Sequence, residues 1–171
     1  MLLWKIMPNT DMLPFEILDS EKLARAIFEP FHIKKGKLKT AAFKAPTGKR
    51  DVSVNRLRAL DANACKEKAK EIESEGKLYQ GFAVISAAII RKLGSEVVDS
   101  REPPPDYYLG HADIIHSVIL EKHQPAPPEF NHLLKRLVEQ SKFYKDINPS
   151  SKTWESDDFS SPPFATDVEV E

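Results

Sequence analysis

One cysteine, six glycines and no apolar run of membrane length bound what this chain of 171 residues can be. The lone Cys65 forbids an internal disulfide and cannot supply a multi-cysteine zinc site, which fits a reducing compartment. The glycines form no GxxxxGKS/T or GxGxxG, and neither GxSxG nor HExxH occurs, so no phosphate-cradling loop or ready-made catalytic motif is present. No cofactor is expected. The longest apolar stretch, Gly81 to Ile90, is cut off by Arg91 and Lys92, short of the roughly 18 residues a membrane span needs. The opening MLLWKIMPNTDMLPF has one Lys before Pro8 and no sustained apolar segment, unlike a secretory signal, so the reading is cytoplasmic. Hydrophobic residues at 41% and charged residues at 30% describe an ordinary globular domain, large enough for one core.

What the chain does have is polarised charge. From His32 to Arg58 stand nine basic residues (Lys34, Lys35, Lys37, Lys39, Lys44, Lys49, Arg50, Arg56 and Arg58) against Asp51 alone. From Lys145 to Glu171 seven acids face two lysines in a Ser/Pro-rich setting. This divides the chain into a domain over 1–145 and an acidic tail over 146–171 with the composition of a disordered segment. Trp154, Phe159 and Phe164, spaced among the acids, read as docking anchors for a partner.

Periodicity and punctuation supply the elements. Ser20 caps a short helix carrying Leu23, Ile27 and Phe28 and stopped by Pro30. Lys37 to Phe43 and Asp51 to Leu57 read as a hairpin across KAPTGKR. Asp61 caps a helix with Ala62, Cys65, Ala69 and Ile72 on its apolar stripe, Lys66 and Lys70 on its solvated face, and Gly76 as C-cap. Phe82 to Ser86 is an apolar strand, and residues 86–93 read equally as strand or as a helix ended by Gly94. Glu96 to Ser100 and Ala112 to Leu120 are further strands, and Pro128 opens a last helix. Consecutive strands between helices predict an α+β fold with a small, mostly antiparallel sheet.

The stretch GHADIIHSVILEKH holds three of the five histidines. Strand alternation sends His111 and Asp113 to one face and His116 to the other, so they cannot converge on one metal. No metal site is expected, since zinc wants three or four convergent ligands. Cys65 sits in an apolar stripe and reads as packing. His111 oriented by Asp113, with Ser53 for orientation and Arg56 for anion stabilisation, would suit a metal-independent phosphodiesterase or ribonuclease.

Taken in order, TAAFKAPTGKRDVSVNRL, GFAVISAAIIRKLG and REPPPDYYLGHADI resemble a pattern in small uncharacterised prokaryotic proteins, where AF, SVxR, an apolar strand and a proline-led HAxI recur. The resemblance covers about Leu23 to Ile115. It implies that Phe43, Ser53, Arg56, His111 and Ala112 form a shared surface, and it suggests an accessory role in antiviral defence. It carries no activity across.

The preferred reading is a non-catalytic cytoplasmic accessory module that engages a protein or a nucleic-acid-containing complex. Lys34, Lys35, Lys37, Lys39, Lys49 and Arg50 would supply long-range attraction, and Arg56 a directional fork to phosphate or carboxylate.

Overall fold

A computed structural model describes residues 13–105 and 108–159. Its elements run β1 (Lys22–Glu29), β2 (Ile33–Lys34), β3 (Lys37–Leu38), a 3-10 turn (Thr40–Phe43), β4 (Asp51–Arg56), α1 (Ala62–Glu71), β5 (Leu78–Ser86), α2 (Ala87–Lys92), β6 (Glu96–Asp99), β7 (His111–Ile115), α3 (Pro128–Gln140) and β8 (Lys142–Lys145). Six strands form one sheet in the order β6-β7-β4-β1-β5-β8, every neighbouring pair antiparallel. The fold is α+β. No helix among the described residues is long and apolar enough to cross a membrane.

Several elements follow from local chemistry. The Asp61 carboxylate accepts the Ala64 N–H at 2.8 Å and starts α1, while the Ser86 hydroxyl accepts the Ile89 N–H at 3.3 Å and turns β5 into α2. Residues 86–93 are therefore mostly helix. Pro128 opens α3, where its missing N–H costs no helical bond.

Others correct the sequence reading. Residues 22–29 are a strand, not a helix, because β1 is central and both its faces are covered: Leu23 and Ile27 pack on one side, Ala24 and Phe28 on the other. Two-sided burial hides the alternation that would have marked it. The expected hairpin is also different, since β4 pairs with β1 and β7, and β3 pairs with β2. The β2–β3 turn is Lys35-Gly36, both with positive φ (52° and 76°), as a two-residue type I′ turn requires. Gly76 lies in the Ser74–Lys77 turn, beyond the Ile72 C-cap of α1.

The sheet has two unlike faces. One is closed by α2, α3 and the 3-10 turn over a core that includes Leu23, Phe43, Val54, Ile114, Phe130 and Leu137. The other is covered on its β1–β5–β8 half by α1 and by residues 146–159. That stretch of tail is built into the fold. Phe159 is 5% exposed and Trp154 half-buried, packed edgewise at 4.9 Å from each other and within 6 Å of Phe82. They anchor the chain to itself, correcting their reading as partner anchors; Phe164 lies outside the described residues. Lys66 is likewise buried, not solvated: its ammonium meets Asp146 at 2.8 Å and the carbonyls of Asn148 and Thr153. Tyr79 donates to the same Asp146 carboxylate, so a fully buried ion pair is hydrogen-bonded on every side that carries a proton.

Candidate functional site

Arg56 is the first predicted site residue to be reassigned. Its guanidinium is fully buried and its five N–H groups meet five acceptors: both Glu21 oxygens, Asp99, and the Pro14 and Glu16 carbonyls. Bidentate and charge-assisted, this is a structural knot at the sheet's end. Arg56 gives its fork to the chain's own carboxylates, on the face away from Ser53, and leaves the phosphodiesterase set. Phe43 and Ala112 are also fully buried, so of the five residues the family resemblance groups on a surface, only Ser53 and His111 reach one.

Ser53 and His111 do meet. The β4–β7 register pairs Ser53 with Asp113 and Asn55 with His111, so the Ser–His contact runs diagonally between adjacent strands on the uncovered half of the second face. The hydroxyl oxygen lies 2.8 Å from His111 Nε2, and His111 Nδ1 lies 3.1 Å from the Ser100 carbonyl. A carbonyl only accepts, so Nδ1 carries the proton and Nε2 presents its lone pair to the Ser53 O–H. Asp113 Oδ1 stands 3.8 Å from Nε2, and its other oxygen accepts the Ser100 hydroxyl at 2.5 Å. The predicted His111–Asp113–Ser53 grouping thus holds without Arg56.

Three features were invisible in the sequence reading. Tyr108 stacks on the imidazole at 4.6 Å, donates its O–H to Asn55, and carries the Lys68 ammonium 4.4 Å over its ring. Gly110, at φ 88°, feeds the chain into β7 where a Cβ would strike Leu60 at 2.8 Å. Arg25 is the third. Beyond Asn55 the β1–β4 ladder parts, and Arg25 donates to the Ser53 carbonyl at 3.0 Å and the Ala42 carbonyl at 2.8 Å, fixing the backbone under the hydroxyl. Burial lowers its guanidinium to about 10, against the attraction of Asp113. An arginine inside the apolar LARAIF run was the available signal. The pair opens into a cleft of about 570 Å3 lined by Lys68, Glu71, Ile72, Glu102 and Tyr108.

The remaining histidines are accounted for. His116 is buried in the core, His123 and His132 are exposed, and no group of three or more His, Cys, Asp or Glu among the described residues could hold a metal. Cys65 is fully buried, and burial pushes its thiol up, away from a nucleophile's thiolate.

The second feature is a basic pole. β1 ends, β4 begins and the β2–β3 hairpin projects at the same end of the sheet, which brings together Lys34, Lys35, Lys37, Lys39, Lys44, Lys49 and Arg50. All seven are exposed and none makes an ion pair among the described residues. Half-buried near Lys39, the His32 imidazole is lowered to about 3, by desolvation first and then by the charges of Arg25, Lys77 and Lys39. Phe31 stands 53% exposed in the adjoining turn. No family model, no curated protein and no solved structure matches this chain.

Proposed function

We propose that this chain is a cytoplasmic binding module whose basic pole docks on the phosphate backbone of a nucleic acid. One observation carries the reading: seven cations crowd one end of the sheet in solvent, and none of them is ion-paired among the described residues. Keeping like charges together costs stability, and a polyanion repays it by releasing its condensed counterions. A purely structural role, lysines guarding a sheet edge against aggregation, fits less well, because β2 and β3 belong to a separate two-stranded hairpin and Lys44, Lys49 and Arg50 lie on no strand.

Phe31 favours a single strand over a duplex, since an exposed ring among lysines offers any base a stacking platform. Its neighbour His32 is held from behind, its Nδ1 accepting the Phe28 N–H at 3.1 Å, which limits the freedom of the turn that presents the ring.

Anisotropy of a labelled single-stranded oligonucleotide, titrated at several salt concentrations, tests the proposal. Expected is a log–log salt slope of about −0.7 per phosphate engaged, and a collapse of binding in the Lys34→Glu/Lys37→Glu double variant. Phe31→Ala should weaken binding by about 1–3 kcal/mol and leave the salt slope unchanged. Absence of binding at low salt, or equal affinity in the charge-reversed variant, overturns the reading; preference for an acidic protein over any oligonucleotide does so too.

A further inference from the structure

We propose that Ser53 and His111 form a nucleophile–base pair that accepts acyl groups from uncharged esters, an activity separate from the basic pole. The geometry is what a serine nucleophile needs. His111 has its Nδ1 proton committed to the Ser100 carbonyl at 3.1 Å, which leaves Nε2 as the base 2.8 Å from the Ser53 oxygen. Asp113, 3.8 Å from Nε2, is a counter-charge for the imidazolium that forms when the base takes a proton. Tyr108, stacked at 4.6 Å, restricts the ring's tilt. Ser53 is exposed on the open half of the sheet, beside the cleft it helps line.

The surrounding charges select the substrate class. Glu71 and Glu102 line the cleft and Asp113 stands on the Nε2 side of the imidazole, against Lys68, which is itself 3.9 Å from Glu71. This field repels phosphodiesters and carboxylates, so the ribonuclease chemistry expected of His111 is the wrong one for its setting. Ile72, 54% exposed, and the Tyr108 ring give the cleft an apolar wall suited to a neutral ester with a small hydrocarbon group.

The step balances without a co-reactant other than water. As Ser53 Oγ bonds to the ester carbonyl carbon, its proton passes to Nε2 and the carbonyl electron pair moves onto oxygen. Reforming the carbonyl expels the alcohol, which leaves with that proton. Water then gives a proton to Nε2 and attacks the acyl-serine, which releases the acid and returns the proton to Ser53. No oxyanion donor is assigned, and one missing donor costs about 10²–10³ in kcat. Turnover is therefore slow, and covalent capture is the sensitive readout.

The full chain is incubated with an alkyl fluorophosphonate, whose P–F bond breaks as Oγ–P forms, and then analysed by intact mass and peptide mapping. Hydrolysis of p-nitrophenyl butyrate is followed in parallel. Expected is one adduct, on Ser53, absent in Ser53→Ala and formed about a hundredfold or more slowly in His111→Gln. The surface variant His132→Ala should behave as wild type in both assays. Thermal melts establish that the variants are folded, and Ser53→Ala, a loss of one exposed hydroxyl, serves if His111→Gln melts early. No adduct, an adduct that persists in Ser53→Ala, or an unchanged rate in folded His111→Gln overturns the proposal.

Discussion

The same three groups, a serine hydroxyl, an imidazole and a main-chain carbonyl, occur twice in this molecule, on opposite sides of the sheet. On the closed side the Ser95 hydroxyl lies 2.8 Å from His116 Nδ1, and His116 Nε2 donates to the Phe43 carbonyl at 2.8 Å. On the open side Ser53 lies 2.8 Å from His111 Nε2, and His111 Nδ1 donates to the Ser100 carbonyl. The hydrogen bonding is equivalent with the two ring nitrogens exchanged. What differs is access: His116 is 1% exposed and packed edgewise against Phe130 at 5.3 Å, whereas His111 borders a cleft. Geometry sets which atom holds the proton, and burial decides whether that proton has anywhere to go. The buried copy is a fastener and an internal control for the open one.

The largest expected effect lies in the fastener. His116→Ala leaves a cavity against Phe130 and strips the Phe43 carbonyl and Ser95 hydroxyl of their partner, costing about 2–5 kcal/mol. His111→Ala, at the sheet surface with water at hand, should cost no more than about 1 kcal/mol. Urea titrations of both variants measure the gap, and equal losses would mean that the two sides are not the different environments described.

Titration comes next. Burial lowers the His116 imidazole, partly opposed by its bond to Phe43, and desolvation with nearby cations lowers His32 to about 3. The folded state therefore binds fewer protons than an unfolded chain whose imidazoles titrate near about 6.5. Stability from these groups is complete above that pH and falls as pH drops below it, for His32 down towards 3. Burial pushes the Asp99 carboxyl up, but hydrogen bonds from Arg101 and Arg56 outweigh it and hold it below the usual range. Its contribution is lost at still lower pH, in the same direction. Melting temperatures between pH 7.5 and 5 isolate the imidazoles, and His32→Gln should flatten part of that slope.

Much of the open side was legible because it obeys local rules. Alternation alone put His111 with Asp113 and Ser53 with Asn55, and antiparallel pairing of β4 with β7 then joined the two sets. The caps at Asp61 and Ser86 needed only residue type and position. What escaped was settled by partners far along the chain. Lys66 lies 80 positions from the Asp146 that buries it, so its helix position reads as solvated until the tail is placed. Trp154 and Phe159 looked like anchors for another molecule because nothing nearby in sequence offers Phe82 as a neighbour. Arg56 carried the right chemistry for an anion, and Glu21 and Asp99 had already claimed it.

The smallest test is the most discriminating between the two serines. Ser95→Ala removes the donor to a buried imidazole nitrogen that no water reaches, so the orphaned lone pair costs about 1–3 kcal/mol. Ser53→Ala removes the same bond from His111 on the open face of the sheet, where water replaces the hydroxyl and the change should stay within about 0.5 kcal/mol. Stability and reactivity then move in opposite senses. The variant that barely alters the melt abolishes covalent capture, and the one that lowers the melt leaves capture at Ser53 intact. A Ser95 adduct, or a Ser53→Ala chain as unstable as Ser95→Ala, would show that access is not what separates the two sites.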